Sequence, residues 1–131
     1  MIEPAELSWR DGQPYSAAFQ DIYHDAEGVG EVERVFLAPA DFDGLLDKGR
    51  PVVVGELGFG TGLNFAVIGR RCLSRGVPLH FVSFEAAPIA PDDFRQIVAA
   101  RQATEPVYAE LSTLYPPLLG SWHHRCLAGG S

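Results

Sequence analysis

The sequence predicts an α/β domain that begins a doubly wound parallel sheet. Residues 52–54 are three consecutive valines that lead into a glycine-rich turn, as in a strand buried on both faces. Residues 63–75 carry apolar side chains at helical spacing, and residues 79–85 form a second, mostly apolar strand. Strand, glycine turn, helix and strand in this order open a doubly wound fold, with parallel strands and a right-handed crossover.

Composition and charge limit the classes of protein that this chain can represent. Its 131 residues suffice for one ordinary domain, and 47% apolar with 21% charged residues is the usual balance of a globular fold. A disordered tail, a collagen-like fibre and a low-complexity segment are excluded. The formal charge of −7 argues against tight binding of nucleic acid by charge alone.

The sequence carries no clear targeting signal. Residues 1–10 lack the basic start and apolar stretch of a secretory signal. The longest apolar region, residues 51–69, is interrupted by Glu56 and by glycines, which argues against a membrane span. Cys72 and Cys126 are far apart in the sequence. We therefore expect reduced thiols in a cytoplasmic protein.

Residues 1–50 are predicted to form an extension that precedes the sheet. The turn pair Asp11-Gly12 predicts a hairpin between Glu6–Arg10 and Gln13–Ser16. Short helices are then expected over Ala17–Tyr23, over Glu31–Leu37 and after a capping Asp41. Their expected inward side chains are Phe19 and Tyr23 in the first, Val32, Val35 and Phe36 in the second, and Phe42, Leu45 and Leu46 in the third, with Gly49 just past its end.

Residues 51–131 are predicted to form the first half of the sheet domain. A complete sheet of this kind has roughly five to seven strands, so we expect a truncated domain. One edge of the first strand would then be unpaired and an apolar row uncovered. The remaining predicted features are a helix end at Gly76, a buried Cys72, a helix from Pro91 with Phe94, Ile97 and Val98 inward, a helix over Thr104–Leu114 and a third strand over Trp122–Leu127.

The most informative segment is Gly55–Phe65, with the sequence GELGFGTGLNF. Its alternate glycines allow a tight turn and the close approach of a ligand to backbone N–H groups. The helix that follows adds unpaired N–H groups and a partial positive charge. A dinucleotide fingerprint would need glycine where Leu63 stands, and a phosphate-binding P-loop would need lysine where Thr61 stands.

The pattern that remains, E-x-G-x-G-x-G from Glu56 to Gly62, is typical of class I S-adenosylmethionine-dependent methyltransferases. This cofactor has no phosphate and carries a sulfonium and an ammonium, so Glu56 suits its methionyl end. Glu85 ends the second strand 23 residues after Gly62. An acid about 20 residues beyond such a loop accepts hydrogen bonds from ribose hydroxyls. The simpler alternatives are an ordinary tight turn and a solvated carboxylate.

Several segments together resemble the methyltransferase half of the bacterial tRNA 5-methylaminomethyl-2-thiouridine biosynthesis proteins, the MnmC family. The resemblance is carried mainly by Gly55–Phe65, by His80–Glu85 with Pro88, and by Phe19-x-Asp21-x-Tyr23. Three further segments occur in the family's order: Glu6-Leu7-x-Trp9, Val35-Phe36-Leu37 and Tyr115-Pro116-Pro117-Leu118.

The resemblance implies a Rossmann-like methyltransferase that uses S-adenosylmethionine to N-methylate the 5-aminomethyl group of the tRNA wobble uridine. Some members are fused to a flavin-dependent oxidoreductase, so FAD would enter only with that domain. The cofactor-binding residues that the resemblance implies are Glu56, Gly58, Phe59, Gly60, Thr61, Gly62 and Asn64 in the loop, Glu85 at the ribose, and Tyr23 with Phe19 and Asp21 as a lid.

The sequence departs from the family pattern at Ala86 and Ala87, where larger residues are expected, and at His24, which replaces an aromatic residue. The family's Asp-Gly-Phe-x-Pro segment does not occur in the chain, so no catalytic residue is assigned. We expect this chain alone to hold part of the cofactor pocket without turnover. The tRNA would be the substrate of the full-length protein, and this acidic fragment would bind it weakly or not at all.

Two further patterns, a basic cluster and a histidine pair, have simpler explanations than a functional site. Arg70, Arg71 and Arg75 form a basic cluster that we expect to be a solvated helix end rather than a tRNA contact. His123 and His124 would point to opposite faces of a strand, so no metal site is predicted. Two alternatives stay open: an NAD- or FAD-binding Rossmann oxidoreductase, and a non-catalytic, truncated remnant of the methyltransferase.

Overall fold

In the computed structural model of the chain, the described residues are 7–10, 13–16, 21–22, 28–103, 105–115, 123 and 125–126, with the backbone alone for 7–10, 13–16, 21–22 and 28. The strands are β1 (Leu7–Arg10), β2 (Gln13–Ser16), β3 (Asp21–Ile22), β4 (Val52–Leu57) and β5 (Leu79–Phe84). The helices are α1 (Gly28–Val32), α2 (Phe42–Asp47), α3 (Leu63–Arg75), α4 (Pro91–Arg101) and α5 (Val107–Leu114), and a π-helical turn (Glu33–Leu37) directly follows α1.

The N-terminal strands form an antiparallel sheet in the order β1-β2-β3. β1 and β2 pair along their whole lengths, which confirms the predicted hairpin. The helix predicted over residues 17–23 is wrong at Asp21–Ile22, which pairs with β2 as a strand. A third strand bonds the outer backbone groups of β2, which a helix would leave open. Phe19 and Tyr23 lie outside the described residues.

The helix predicted over residues 31–37 is in fact the end of α1 followed by the π-helical turn. In such a turn the residues that share a face are five apart rather than three or four. Val32 and Leu37 are therefore buried, whereas Val35 and Phe36 are about half exposed. The prediction that Val35 and Phe36 face inward is wrong because it assumed ordinary α-helical spacing.

The start of α2 also differs from its prediction. Asp41 has a left-handed backbone, with φ 48°, and its side chain makes no capping hydrogen bond. Phe42 and Leu46 are buried as predicted. Leu45 is exposed, contrary to prediction, because it lies at the edge of the stripe that these two residues define. Gly49 has φ 67° and follows the helix end as expected.

β4 and β5 pair in parallel along their whole lengths, as predicted. β4 is not buried on both faces, which corrects the expectation from its valine run: its residues alternate between half-buried and exposed. Helix α3 packs against one face of this two-stranded sheet. The opposite face carries Val53, Leu57 and Phe84, which are 74%, 89% and 53% exposed. This uncovered face is the apolar row that the sequence predicts.

Helix α3 is the centre of the packing. It spans Leu63–Arg75 and ends at Gly76 in the left-handed conformation, both as predicted. One side of α3 packs with α1, the π-helical turn, α2 and the covered face of the sheet, through a cluster that includes the buried Cys72. Because this cluster joins residues on both sides of position 50, the core crosses the predicted boundary between extension and domain. That boundary stays a prediction.

The other side of α3 packs against α4 and α5. Phe94, Ile97 and Val98 are buried in α4 as predicted, whereas α5 begins later than residue 104. The rings of Phe94 and Tyr115 stack with centroids 4.0 Å apart and planes 8° apart. Such aromatic pairs add about 0.5–1.5 kcal/mol beyond the burial of their area, so this stack fixes α4 against the end of α5.

The third strand predicted over residues 122–127 is only partly testable. His123, Arg125 and Cys126 are described and have no regular secondary structure, while the other positions lie outside the described residues. The described chain is a mixed α/β structure with a parallel pair of strands and flanking helices. The predicted fold class is confirmed at that level, and the Rossmann-like assignment stays a prediction.

Candidate functional site

The glycine-rich loop, residues 58–62, joins β4 to α3 and is shaped by glycine backbone conformations. Gly58 has φ 87° and Gly62 has φ 78°, both in the left-handed region that costs other residues steric strain. A Cβ atom on Gly62 would lie 3.0 Å from Cζ of Phe59. A side chain at position 62 would therefore press against the Phe59 ring and would strain this left-handed backbone.

Glu85, directly after β5, is hydrogen-bonded to the glycine-rich loop. Its Oε1 accepts a hydrogen bond from the Gly60 N–H at 2.9 Å, and its Oε2 accepts one from the Ala87 N–H at 3.2 Å. The loop is also tied to the end of β5 through the Gly58 N–H, which donates to the Phe84 carbonyl at 2.6 Å. Both carboxylate oxygens of Glu85 are thus oriented by backbone donors, one on each side.

Glu56, near the end of β4, is oriented by side chains of the two neighbouring elements. Its Oε2 accepts a hydrogen bond from Nδ2 of Asn64 in α3 at 2.9 Å, and its Oε1 accepts one from Oγ of Ser83 in β5 at 2.7 Å. Burial raises the pKa of Glu56, and the negative Glu85 raises it further, while the two hydrogen bonds act in the opposite direction. Two acidic side chains therefore flank one short loop.

The inner side of the loop packs against the core cluster that α3 forms with α4 and α5. The Phe59 ring lies 6.5 Å, centroid to centroid, from each of Phe65 and Phe94. Thr61 is buried, and its carbonyl accepts a hydrogen bond from the Tyr108 hydroxyl of α5 at 2.9 Å. Burial raises the pKa of Tyr108 to about 12, so the hydroxyl stays protonated and donates at neutral pH.

The structure thus brings most of the predicted cofactor-binding residues into one place. Glu56, Asn64 and Glu85 meet around the loop through hydrogen bonds. Phe59 and Thr61 belong to its packed side, so their contact with a cofactor stays a prediction. Tyr23 and Phe19 lie outside the described residues, and Asp21 is described only as backbone in β3. The predicted lid therefore stays a prediction as well.

Sequence reasoning missed two side chains that hold this site, Ser83 and Tyr108. Ser83 is opposite Glu56 in the parallel register, and that register follows once both strands are placed. Tyr108 could have been found only as an apolar position of a short helix. Its contact with Thr61 spans 47 residues of sequence, and no local pattern carries such a contact.

The three arginines near the end of α3 are paired with carboxylates from other elements. Arg70 forms an ion pair with Glu105 at 2.9 Å, and the Glu105 side chain is only 5% exposed. Arg71 bonds Glu33 and Asp43, and Arg75 bonds Asp47. This cluster is therefore neutralised within the fold, which disfavours it as a phosphate-binding surface.

Neither metal ligation nor membrane insertion is indicated in the part of the chain that the structure describes. No group of three or more His, Cys, Asp or Glu side chains there is arranged to hold a metal ion. Within the same residues, no helix combines the length and the apolar character needed to cross a membrane. Cys72 is buried and Cys126 is exposed, and both are free thiols.

The fold and the loop define an α/β protein in which a glycine-rich loop, flanked by two carboxylates, joins a strand to a helix. Three curated relatives bear the name tRNA 5-methylaminomethyl-2-thiouridine biosynthesis bifunctional protein MnmC. That of Marinobacter nauticus is 36% identical over 99% of this chain, that of Chromobacterium violaceum 39% over 96%, and that of Thiobacillus denitrificans 41% over 98%. The chain spans about a fifth of the length of these relatives, 22%, 20% and 22% respectively.

By this similarity along nearly all of its length, the chain belongs to the MnmC family. No protein-family model matches it. Among solved structures, the crystal structure of MNMC2 from Aquifex aeolicus matches 72% of this chain and 35% of its own, with 22% identity and a TM-score of 0.49. A structural likeness at that level supports no argument about the site.

Proposed function

We propose that this chain forms the S-adenosylmethionine-binding part of a methyltransferase that modifies the wobble uridine of tRNA. The observation that supports it most is the hydrogen bond from the Gly60 N–H to Glu85. In a loop that binds a diphosphate, such an N–H points at the ligand. Here a carboxylate takes that place, and a second carboxylate, Glu56, lies nearby. The loop therefore favours a ligand with hydroxyl and cationic groups over an anion.

The chemistry of Glu85 suits the ribose of such a ligand. Each carboxylate oxygen can accept about two hydrogen bonds, and each already accepts one from a backbone N–H. One further acceptor position on each oxygen matches the two neighbouring hydroxyls of a ribose. Because its two backbone donors orient the carboxylate in advance, binding would cost little side-chain entropy.

The chemistry of Glu56 suits the other end of the same ligand. The methionyl part carries an ammonium group, and a carboxylate in a half-buried site attracts a cation more strongly than one in water. When bound, S-adenosylmethionine supplies an electrophilic methyl group on a positively charged sulfur. The residues of this chain would bind and orient that group, and positioning supplies much of the acceleration of a displacement reaction.

The substrate class follows from the relatives, whose printed names refer to biosynthesis of tRNA 5-methylaminomethyl-2-thiouridine. The proposed reaction is N-methylation of the 5-aminomethyl group of 2-thiouridine. The attacking amine must be neutral. Its nitrogen would form a bond to the methyl carbon while the carbon–sulfur bond of the cofactor breaks, S-adenosylhomocysteine would leave, and the methylated nitrogen would lose one proton to a base. None of the described loop residues is assigned as that base. We also propose that this chain, with a net charge of −7 and paired arginines in α3, binds tRNA weakly on its own.

Calorimetry tests the cofactor class directly. The purified chain is titrated with S-adenosylhomocysteine and with NAD, in parallel with Glu85→Gln and with the matched variant Glu31→Gln, a substitution on the exposed side of α1. We expect the wild-type chain and Glu31→Gln to bind S-adenosylhomocysteine at least about tenfold more tightly than NAD. Glu85→Gln should lose about tenfold in affinity, as expected for a hydrogen bond to a charged group. Tighter binding of NAD would contradict the proposal.

A second experiment addresses tRNA. Fluorescence anisotropy of labelled, undermodified tRNA is measured with the chain at two salt concentrations. We expect no saturable binding near physiological salt, because the net charge of −7 repels the phosphates and the three arginines of α3 are paired with carboxylates. Submicromolar binding that weakens steeply with salt would contradict the proposal that this chain binds tRNA weakly on its own.

A further inference from the structure

Ser83 is a polar residue on the covered face of the sheet. It is not among the cofactor-binding residues that the family resemblance implies. It stands in β5 directly opposite Glu56 in the parallel register. Its hydroxyl donates to Oε1 of Glu56 at 2.7 Å, while Asn64 donates to Oε2. The Glu56 carboxylate is thus held on one oxygen by a strand and on the other by a helix.

We propose that Ser83 is a positioning residue that makes the site selective for the ammonium-bearing end of its ligand. This inference rests on the proposed function and deepens it. A carboxylate on a flexible side chain can turn away from a ligand, whereas one held by two donors keeps its remaining lone pairs in one direction. That direction is set jointly by β5 and α3. Among the described contacts, the Asn64 amide would be the one side-chain donor left to orient Glu56 without Ser83.

The electrostatics of the site support the same role. The carboxyl groups of Glu56 and Glu85 repel each other, and burial further disfavours the ionised form of Glu56. The Ser83 hydroxyl and the Asn64 amide are the donors that counter these effects, and they lower the pKa of Glu56. Loss of the Ser83 hydroxyl should therefore raise the pKa of Glu56. It should also reduce the charged fraction available to a cation at mildly acidic pH.

The test compares two probes that differ only at the methionyl end. S-adenosylhomocysteine carries the amino-acid group, whereas 5′-methylthioadenosine lacks it but keeps the ribose and adenine. The chain is prepared with Ser83→Val and Ser83→Thr, which have nearly the same shape but differ by the hydroxyl. Ser74→Ala serves as the control, because its hydroxyl bonds only the Arg71 carbonyl at an exposed helix end among the described contacts.

We expect Ser83→Val to weaken the binding of S-adenosylhomocysteine by about tenfold, consistent with the loss of one hydrogen bond to a charged group. The affinity for 5′-methylthioadenosine should change by less than about twofold. Ser83→Thr and Ser74→Ala should match the wild-type chain with both probes. The pH at which S-adenosylhomocysteine binding falls to half should move upward in Ser83→Val alone.

Four results separate the inference from the proposed function. Equal weakening of both probes by Ser83→Val, or no weakening of either, overturns the role of Ser83 while the cofactor class stands. Failure of Ser83→Thr to restore binding has the same meaning. A wild-type chain that binds neither probe overturns the proposed function, and the role of Ser83 falls with it.

Discussion

Removing the Tyr108 hydroxyl should loosen the glycine-rich loop without disturbing the core. Tyr108 is fully buried, and its hydroxyl donates to the Thr61 carbonyl at 2.9 Å. Tyr108→Phe keeps the ring, which packs 6.3 Å from Phe94, and deletes only this bond. A buried hydrogen bond contributes about 1 kcal/mol net, and up to about 3 kcal/mol where the acceptor loses its donor. Because a chain of this size loses about 4 °C in Tm per kcal/mol, we expect a decrease of about 4–12 °C.

A matched variant separates the effect on the loop from the effect on stability. The Tyr115 hydroxyl donates to the Ile89 carbonyl at 2.6 Å, outside the loop, so Tyr115→Phe removes the same group elsewhere. Thermal melting should show a comparable loss for both variants. Calorimetry with S-adenosylhomocysteine should show about three- to tenfold weaker binding for Tyr108→Phe alone, because Thr61 lies between two loop glycines. Equal weakening in both variants would show that the Tyr108 hydroxyl has no specific role in holding the loop.

Three further predictions concern the fold. Arg70→Met should destabilise the chain by about 1–2 kcal/mol, because it takes the Arg70 partner from the buried Glu105 carboxylate. The loss is kept small because the Arg70 side chain is 42% exposed and water screens the pair. A double variant with Glu105→Leu should recover most of the loss in thermal melts. Replacing Val53 and Leu57 with threonine should leave Tm within about 2 °C and reduce self-association in sedimentation velocity, and a larger loss of Tm would mean that this face is packed. The raised pKa of Tyr108, about 12, means that its contribution to stability is full below about pH 10 and is lost as pH rises through 12; a tyrosine absorbance titration complete by pH 11 would contradict this.

The parts of the fold that the sequence predicted well are those that local patterns determine. α3 spans its predicted residues because apolar spacing and a terminal glycine define both ends. The hairpin was predicted from its turn pair, and the parallel pair of strands from the order of elements. Glu56 and Glu85 meet the loop because adjacent parallel strands end at the same edge of a sheet.

The errors arise where tertiary contacts decide. Asp21–Ile22 joins a sheet edge rather than a helix, and only its pairing partner makes that choice. The π-helical turn changes which side chains are buried, and nothing in local spacing announces it. The exposure of Leu57 depends on what covers the sheet, since a valine-rich strand has the same pattern whether one face or both are packed.

The loop amides themselves report which kind of ligand the glycine-rich loop binds. The chain is labelled with ¹⁵N-glycine, and the resonances of Gly58, Gly60 and Gly62 are followed by NMR during titration with S-adenosylhomocysteine or with inorganic pyrophosphate. We expect saturable shifts of these resonances with S-adenosylhomocysteine and none with pyrophosphate, since Glu85 already accepts a hydrogen bond from the Gly60 N–H. Saturable shifts with pyrophosphate, or unchanged glycine resonances with S-adenosylhomocysteine, would contradict it.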